Sequence, residues 1–185
     1  EHLNPQEDVI LFADGVHPQH NTINSYAWIK KGTEKTIQSN SGRQRINIIG
    51  AIDIADPTTI VTEQVETINA LTILVFIQAI EKAYPHKKRI HLYVDNARYH
   101  HAILVKEYLQ TSRVIIHYLP AYSPNLNPIE RLWKLMKKKV INNKFYKTFK
   151  EFKNALEQFF DNINDYKLDL QTLINTNFQT LKVLA

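Results

Sequence analysis

Three carboxylates stand at points where this 185-residue chain changes direction. Asp14 closes the apolar run Val9 to Ala13, which has the length of a strand, and precedes a turn. Asp95 closes a second such run, in Val94-Asp95-Asn96-Ala97-Arg98. Glu130 opens a helix, in Ser123-Pro124-Asn125-Leu126-Asn127-Pro128-Ile129-Glu130. Each has an ordinary structural explanation when taken alone. An Asp at a strand end commonly accepts from turn amides. Asn127, Pro128 and Glu130 fit the N-cap, N1 and N3 positions of a capping box. Taken together they suggest chemistry. Three oxygen donors with no cysteine nearby suit hard cations such as Mg²⁺ or Mn²⁺. Two such ions roughly 4 Å apart can clamp the attacking and leaving oxygens of a phosphodiester.

That chemistry needs elements that bring the carboxylates together. The pattern predicts strands at Val9–Ala13, Ser25–Lys30, Arg45–Ile54, Arg89–Val94 and Val114–Leu119. On the fourth, Ile90, Leu92 and Val94 share one face, and His91, Tyr93 and Asp95 the other. Helices are expected over Ile68–Ala83, Tyr99–Gln110, Pro128 to about Asn142 and Phe149–Ile163. The first three strands have no helix between them and read as an antiparallel meander. The later strands have helical crossovers and read as parallel. The result is a mixed α/β sheet flanked by helices, and ligands of such sheets gather beyond the carboxyl ends of strands. The expected organisation is one catalytic domain over residues 1–165 and a C-terminal tail over 166–185 with one further helix.

Composition narrows the function classes. A net charge of +5 and a pI near 9.3 suit a polyanionic partner. The absence of cysteine excludes disulfides, thiolate metal sites and a Cys nucleophile. The apolar stretch Leu71–Ile80 is too short to span a bilayer, so no membrane partner is expected. The polar, acidic start is no signal peptide, and the missing initial Met suggests an excerpt of a longer protein.

The stretch Asp95-Asn96-Ala97-Arg98-Tyr99-His100, followed by Leu119-Pro120-Ala121-Tyr122-Ser123-Pro124-Asn125-Leu126-Asn127-Pro128-Ile129-Glu130-Arg131-Leu132-Trp133, closely resembles the mariner-like superfamily of DDE transposases, above all its bacterial insertion-sequence branch. Between Asp95 and Glu130 lie 34 residues, a spacing typical of that superfamily. Leu11-Phe12-Ala13-Asp14 matches its first aspartate segment, and Trp28 and Lys31-Gly32 sit where members usually have a Trp followed by a Gly. The likeness runs from about Val9 to Ile163. Members often carry Glu directly after the first aspartate; here it is Gly15, which leaves Asp8 and Asp53 as fallback positions.

The resemblance implies a ribonuclease H-like fold, with Asp14, Asp95 and Glu130 as catalytic metal ligands for Mg²⁺ or Mn²⁺, two ions in all. It implies water-dependent cutting at a transposon end, then attack of the freed 3′-hydroxyl on target DNA, with a tendency to insert at TA. It also implies double-stranded DNA as partner, a homodimer in the active complex, and a cytoplasmic, nucleoid-associated bacterial setting. The family's N-terminal helix-turn-helix is absent from this sequence, so DNA binding is expected to be weak, tolerant of sequence and salt-dependent.

Further residues are candidates as well. Asn96, Arg98 and His100 belong to the second block and could meet a phosphate or support the site; a packing role for His100 is the alternative. Ile129, Leu132, Trp133, Met136 and Val140 form a core stripe, opposite Arg131, Lys134, Lys137, Lys138 and Lys139. Such a run is usually a solvated face, but beside a cutting site it suits DNA phosphates. Lys30, Lys31, Arg43 and Arg45 are weaker candidates of that kind. Phe149, Phe152, Leu156 and Phe159 read as a packing stripe, and His17 and His20 lack the further ligands zinc needs. Two other readings stand: a transposase-derived DNA-binding protein that no longer cuts, and a simple nuclease of the same fold.

Overall fold

The computed structural model describes residues 3–26, 28–34, 36–40, 43–120 and 126–174. Strands β1 (Asp8–Val16), β2 (Asn47–Asp53), β3 (Ile60–Val65), β4 (Arg89–Val94) and β5 (Val114–Tyr118) form one sheet in the order β3-β2-β1-β4-β5. The β1/β2 and β2/β3 pairs are antiparallel, and β1/β4 and β4/β5 are parallel. This is the mixed sheet expected, with one correction. The third antiparallel strand is Ile60–Val65, not Ser25–Lys30.

The reason lies in where the backbone bonds go. Both edges of β1 are occupied, by β2 and β4. Ser25 instead gives its N–H to the Asn143 side chain at 2.8 Å and receives the Asn143 amide on its carbonyl at 3.0 Å. Tyr26 and Trp28, at 106% and 104% exposure, bury nothing. Ile60–Val65 is rich in β-branched residues (Ile60, Val61, Thr62 and Val65) and finds a full partner in β2.

Two helical layers cover the sheet. On one face, Val9, Leu11, Ile90, Leu92 and Val94 pack against Ile73, Phe76, Ile77 and Ile80 of α1 (Ala70–Ala83) and Val105 of α2 (Ile103–Leu109). On the other, Phe12, Val16, Ile48 and Ile52 meet Ile129, Leu132, Trp133 and Met136 of α3 (Ile129–Met136) and Phe152, Leu156 and Phe159 of α4 (Phe149–Asp161). The helix expected over Tyr99–Gln110 divides into a 3₁₀ turn, Arg98–His101, and α2. The one expected over Pro128–Asn142 passes from α3 into a π turn, Lys137–Ile141. A fifth helix, α5 (Lys167–Leu173), buries Leu170 in the same core as α3, and Ile174 just after it does so too. The described part of the tail thus packs with the residues before it.

Candidate active site

Alternation along a strand decides which way the first aspartate points. Phe12, Asp14 and Val16 share a face of β1, and the flanking Phe12 and Val16 pack in the layer that contains α3. Asp14 pairs with Gly50 of β2. A Cβ on Gly50 would lie 2.5 Å from Trp133 Cη2, so the indole occupies the room that a side chain there would take. Trp133 stands one helical turn after Glu130. The missing side chain at Gly50 therefore lets α3 sit close over the sheet beside Asp14.

The start of α3 is tied down by Asn127. Its buried side-chain amide donates to the Ala13 carbonyl at 3.2 Å, one residue before Asp14. The capping box expected at Asn127, Pro128 and Glu130 does not form. Pro128 is the N-cap, no side chain caps the helix, and the Glu130 N–H bonds to the Asn127 carbonyl at 3.2 Å. The sequence hides this tie, because an Asn before a Pro and a Glu reads as a cap.

Glu130, exposed at the start of α3, stands near enough to Asp14 for its charge to act on that carboxyl. Burial drives the Asp14 carboxyl up to about 7, the nearby Glu130 and Asp95 charges push the same way, and the Gly15 N–H, 2.7 Å from Oδ1, pulls against them. Asp95, on the end of β4, is held differently. His100 Nε2 lies 3.5 Å from its Oδ1, and the Ala97 N–H donates to the same oxygen at 3.2 Å. His100 and that N–H keep Asp95 below the usual carboxylate range against some burial. Asp95 reaches Asp14 through its charge rather than by contact. Among the described residues, no three His, Asp or Glu side chains converge tightly enough to ligate one ion as they stand.

The remaining residues fall into groups. His100 is buried with its Nδ1 unpartnered, whereas Asn96 and Arg98 lie nearer the solvent and Asn96 Oδ1 meets His101 Nε2 at 2.6 Å. Lys134, Lys137 and Lys138 are exposed on the far side of α3 and its π turn. Arg131 donates to the Leu173 carbonyl at 2.7 Å, and Lys139 pairs with Asp169 at 2.8 Å, so these two brace α5. Lys30, Lys31, Arg43 and Arg45 are all exposed in the loop after β1. The fallback aspartates lie away from the site: Asp8, at the start of β1, chelates Arg89 at 2.8 and 2.9 Å, and Asp53 ends β2 and accepts from Ala55 and Tyr84. His17 and His20 do not converge; the first meets Asn47, and the second packs on Phe152 and meets Tyr146 O. Ala121–Asn125, the middle of the third block, lie outside the described residues. Tyr99, part of the second block but given no role from the sequence, borders a small internal cavity together with Asp14, Gly15 and His100.

A family model described as DDE superfamily endonuclease matches residues 9–153. No curated protein matches the chain in sequence. Among solved structures, the mariner Mos1 paired end complex with Mg superposes with a TM-score of 0.66 at 20% identity, covering 90% of this chain and 51% of that one. The Mos1 Strand Transfer Complex gives 0.65 at 19%, covering 89% and 50%. The catalytic domain of Mos1 mariner transposase gives 0.59 at 18%, covering 89% and 74%. The fold is thus the ribonuclease H-like fold of those structures, and this chain spans about half the length of the first Mos1 chains it matches. No helix among the described residues is long and apolar enough to cross a membrane.

Proposed function

This chain belongs to the DDE superfamily of endonucleases, and we propose that it is the catalytic part of a transposase that cuts DNA at transposon ends and joins them to target DNA. Asp14, Asp95 and Glu130 are its metal-holding residues in this reading. The observation that supports it is that β1, the end of β4 and the start of α3 bring Asp14, Asp95 and Glu130 near enough for the charges of the last two to push the buried Asp14 carboxyl up.

The donor set fits two Mg²⁺ or Mn²⁺ ions. It is all oxygen, from three carboxylates of which Asp95 and Glu130 act on Asp14 through their charges. When bound, such ions polarise the phosphodiester and ready the attacking and leaving oxygens for in-line displacement. The chain's own residues do the positioning. Trp133 against Gly50 and Asn127 against Ala13 set Glu130 over β1. His100 and the Ala97 N–H hold Asp95 from behind. Lys134, Lys137 and Lys138 give phosphate-binding charge without reading sequence.

The Mos1 structures with Mg, with Mn and as paired end and strand transfer complexes support divalent metal and double-stranded DNA as partners here. A homodimer in the active complex and a bacterial insertion sequence on the nucleoid complete the reading. The test is Mn²⁺-dependent nicking of supercoiled plasmid by this chain and by Asp95→Ala. Nicking that disappears in the variant supports the triad, and a strand-transfer assay then separates a transposase from a simple nuclease. Equal nicking by both proteins removes the assignment; a folded, DNA-binding wild type that never nicks favours a derived DNA-binding protein.

A further inference from the structure

Behind Tyr99, beyond the end of β1, a second depression opens. It has a volume of about 260 Å³ and is lined by His17, Arg45, Asn47, Glu66, Ile68 and Tyr99 among others. That is a little below the roughly 300–1,000 Å³ of ordinary small-molecule pockets. The space suits one nucleotide and is too small for a duplex. Ile68 and Tyr99 also line the internal cavity that Asp14 borders, so the two spaces share a wall.

The polar lining is built rather than incidental. Asn47, on β2 and buried, donates its amide to the Glu66 carbonyl at 2.5 Å. That bond turns Asn47 Oδ1 toward His17 Nδ1, 2.8 Å away. An oxygen on that side requires the hydrogen on Nδ1, so the neutral ring offers a bare Nε2 as an acceptor. Arg45 is an exposed cation on the same lining. The lining residues of the groove therefore include a cation, an imidazole acceptor, the exposed acidic residue Glu66 and the aromatic residue Tyr99. Bare phosphate would satisfy Arg45 but be repelled by Glu66. A ligand that suits all four brings an anion, a hydrogen-bond donor and a flat face.

We propose that this groove binds one nucleotide of the DNA strand beside the cutting centre. Its phosphate lies on Arg45, its base packs against Tyr99, and an exocyclic amine of that base donates to Glu66 or His17. Carboxylate acceptance from a base amine is a recurrent pairing, seen with cytosine N4. Thymine has no such amine, so the groove discriminates against it. The position beside the scissile phosphate rests on the triad reading above; the groove's own binding does not.

The experiment uses the 185-residue chain carrying Asp14→Asn, without metal, so that no cutting occurs. Deoxycytidine 3′,5′-bisphosphate and thymidine 3′,5′-bisphosphate are titrated while the aromatic signals of His17 and Tyr99 are followed by NMR. The expected result is saturable movement of both signals with the cytidine compound, affinity about tenfold or more weaker in Arg45→Ala, as for loss of a charge-assisted hydrogen bond, and weaker binding of the thymidine compound. Glu66→Gln, which keeps an acceptor and removes the charge, should retain the preference for cytidine. Absent or unsaturable shifts, unchanged affinity in Arg45→Ala, or equal binding of the two compounds overturns the groove. Plasmid nicking by the wild type in the presence of such a negative result leaves the triad standing; binding without any nicking leaves the groove and removes the triad.

Discussion

Trp133 lies against Gly50, its Cη2 2.5 Å from where a Cβ would be, and Gly50 is the strand partner of Asp14. The contact joins the core to the site, because the helix that buries Trp133 also carries Glu130 one turn earlier. Gly50→Ala must therefore push the indole or lift α3. Overpacking of this kind costs roughly 1–3 kcal/mol. Thermal melts should show a lower Tm, and Mn²⁺-dependent nicking should fall by more than the loss of folded protein explains. A variant with wild-type nicking would show that the contact does not set Glu130.

Asn127 offers a finer probe of the same placement. Its donor meets Ala13 O, while its own Oδ1 is buried without a partner. Asn127→Asp keeps the shape but removes the donor and sets an acceptor against the carbonyl. Leaving a buried carbonyl unsatisfied costs about 1–3 kcal/mol. Asn127→Asp should be less stable in urea than the wild type and should nick more slowly. Unaltered nicking in a destabilised Asn127→Asp would confine the residue to folding.

The Asp14 carboxyl, raised by burial to about 7, makes a pH prediction with a defined sign. Between the ordinary aspartate value and about 7 the folded chain holds a proton there that the unfolded chain has lost. Stability from this group is therefore full at low pH and is lost as pH rises through about 7. With chelator present, the Tm of the wild type should drop relative to that of Asp14→Asn on going from pH 5 to pH 8. Mn²⁺ at pH 8 should restore the wild type and leave the variant unchanged, because a ligand that binds only the folded state raises its stability. Parallel pH profiles for the two proteins would remove Asp14 as the buried acid.

How much of this is legible in the sequence depends on whether a residue's partners are local. Arg89–Val94 alternates cleanly and ends at Asp95, and the strand has those limits. Its two faces pack as the alternation requires, with Ile90, Leu92 and Val94 against α1 and Tyr93 on the other side. Ser25–Lys30 carries the same aromatic and branched residues, but no open strand edge receives it. Which segment pairs with β2 is settled by long-range bonds, and Ile60–Val65 makes them. Asn127 misleads for a similar reason: its local sequence is that of a cap, and its partner, Ala13, is far away in the chain. The basic face after Glu130 is readable as a face, but not its division, because only the position of α5 shows that Arg131 and Lys139 brace it.

That division gives the last prediction. Lys137 and Lys138 are exposed, and Lys139 is paired with Asp169 and lies 5.2 Å from the centre of the Tyr166 ring. If the exposed pair meets DNA, Lys137→Ala with Lys138→Ala should weaken binding to unrelated duplexes equally. The slope of log affinity against log salt should also shrink by roughly 0.9 for each phosphate no longer neutralised. Stability should change little, since neither side chain is buried. Lys139→Ala should behave in the opposite way, with a small loss of Tm, of the size of a partly exposed ion pair at about 0–1 kcal/mol, and a nearly unchanged salt slope. Fluorescence anisotropy at several salt concentrations beside thermal melts measures both. A steeper effect of Lys139→Ala on the slope than of the Lys137 and Lys138 pair would move the DNA path toward α5.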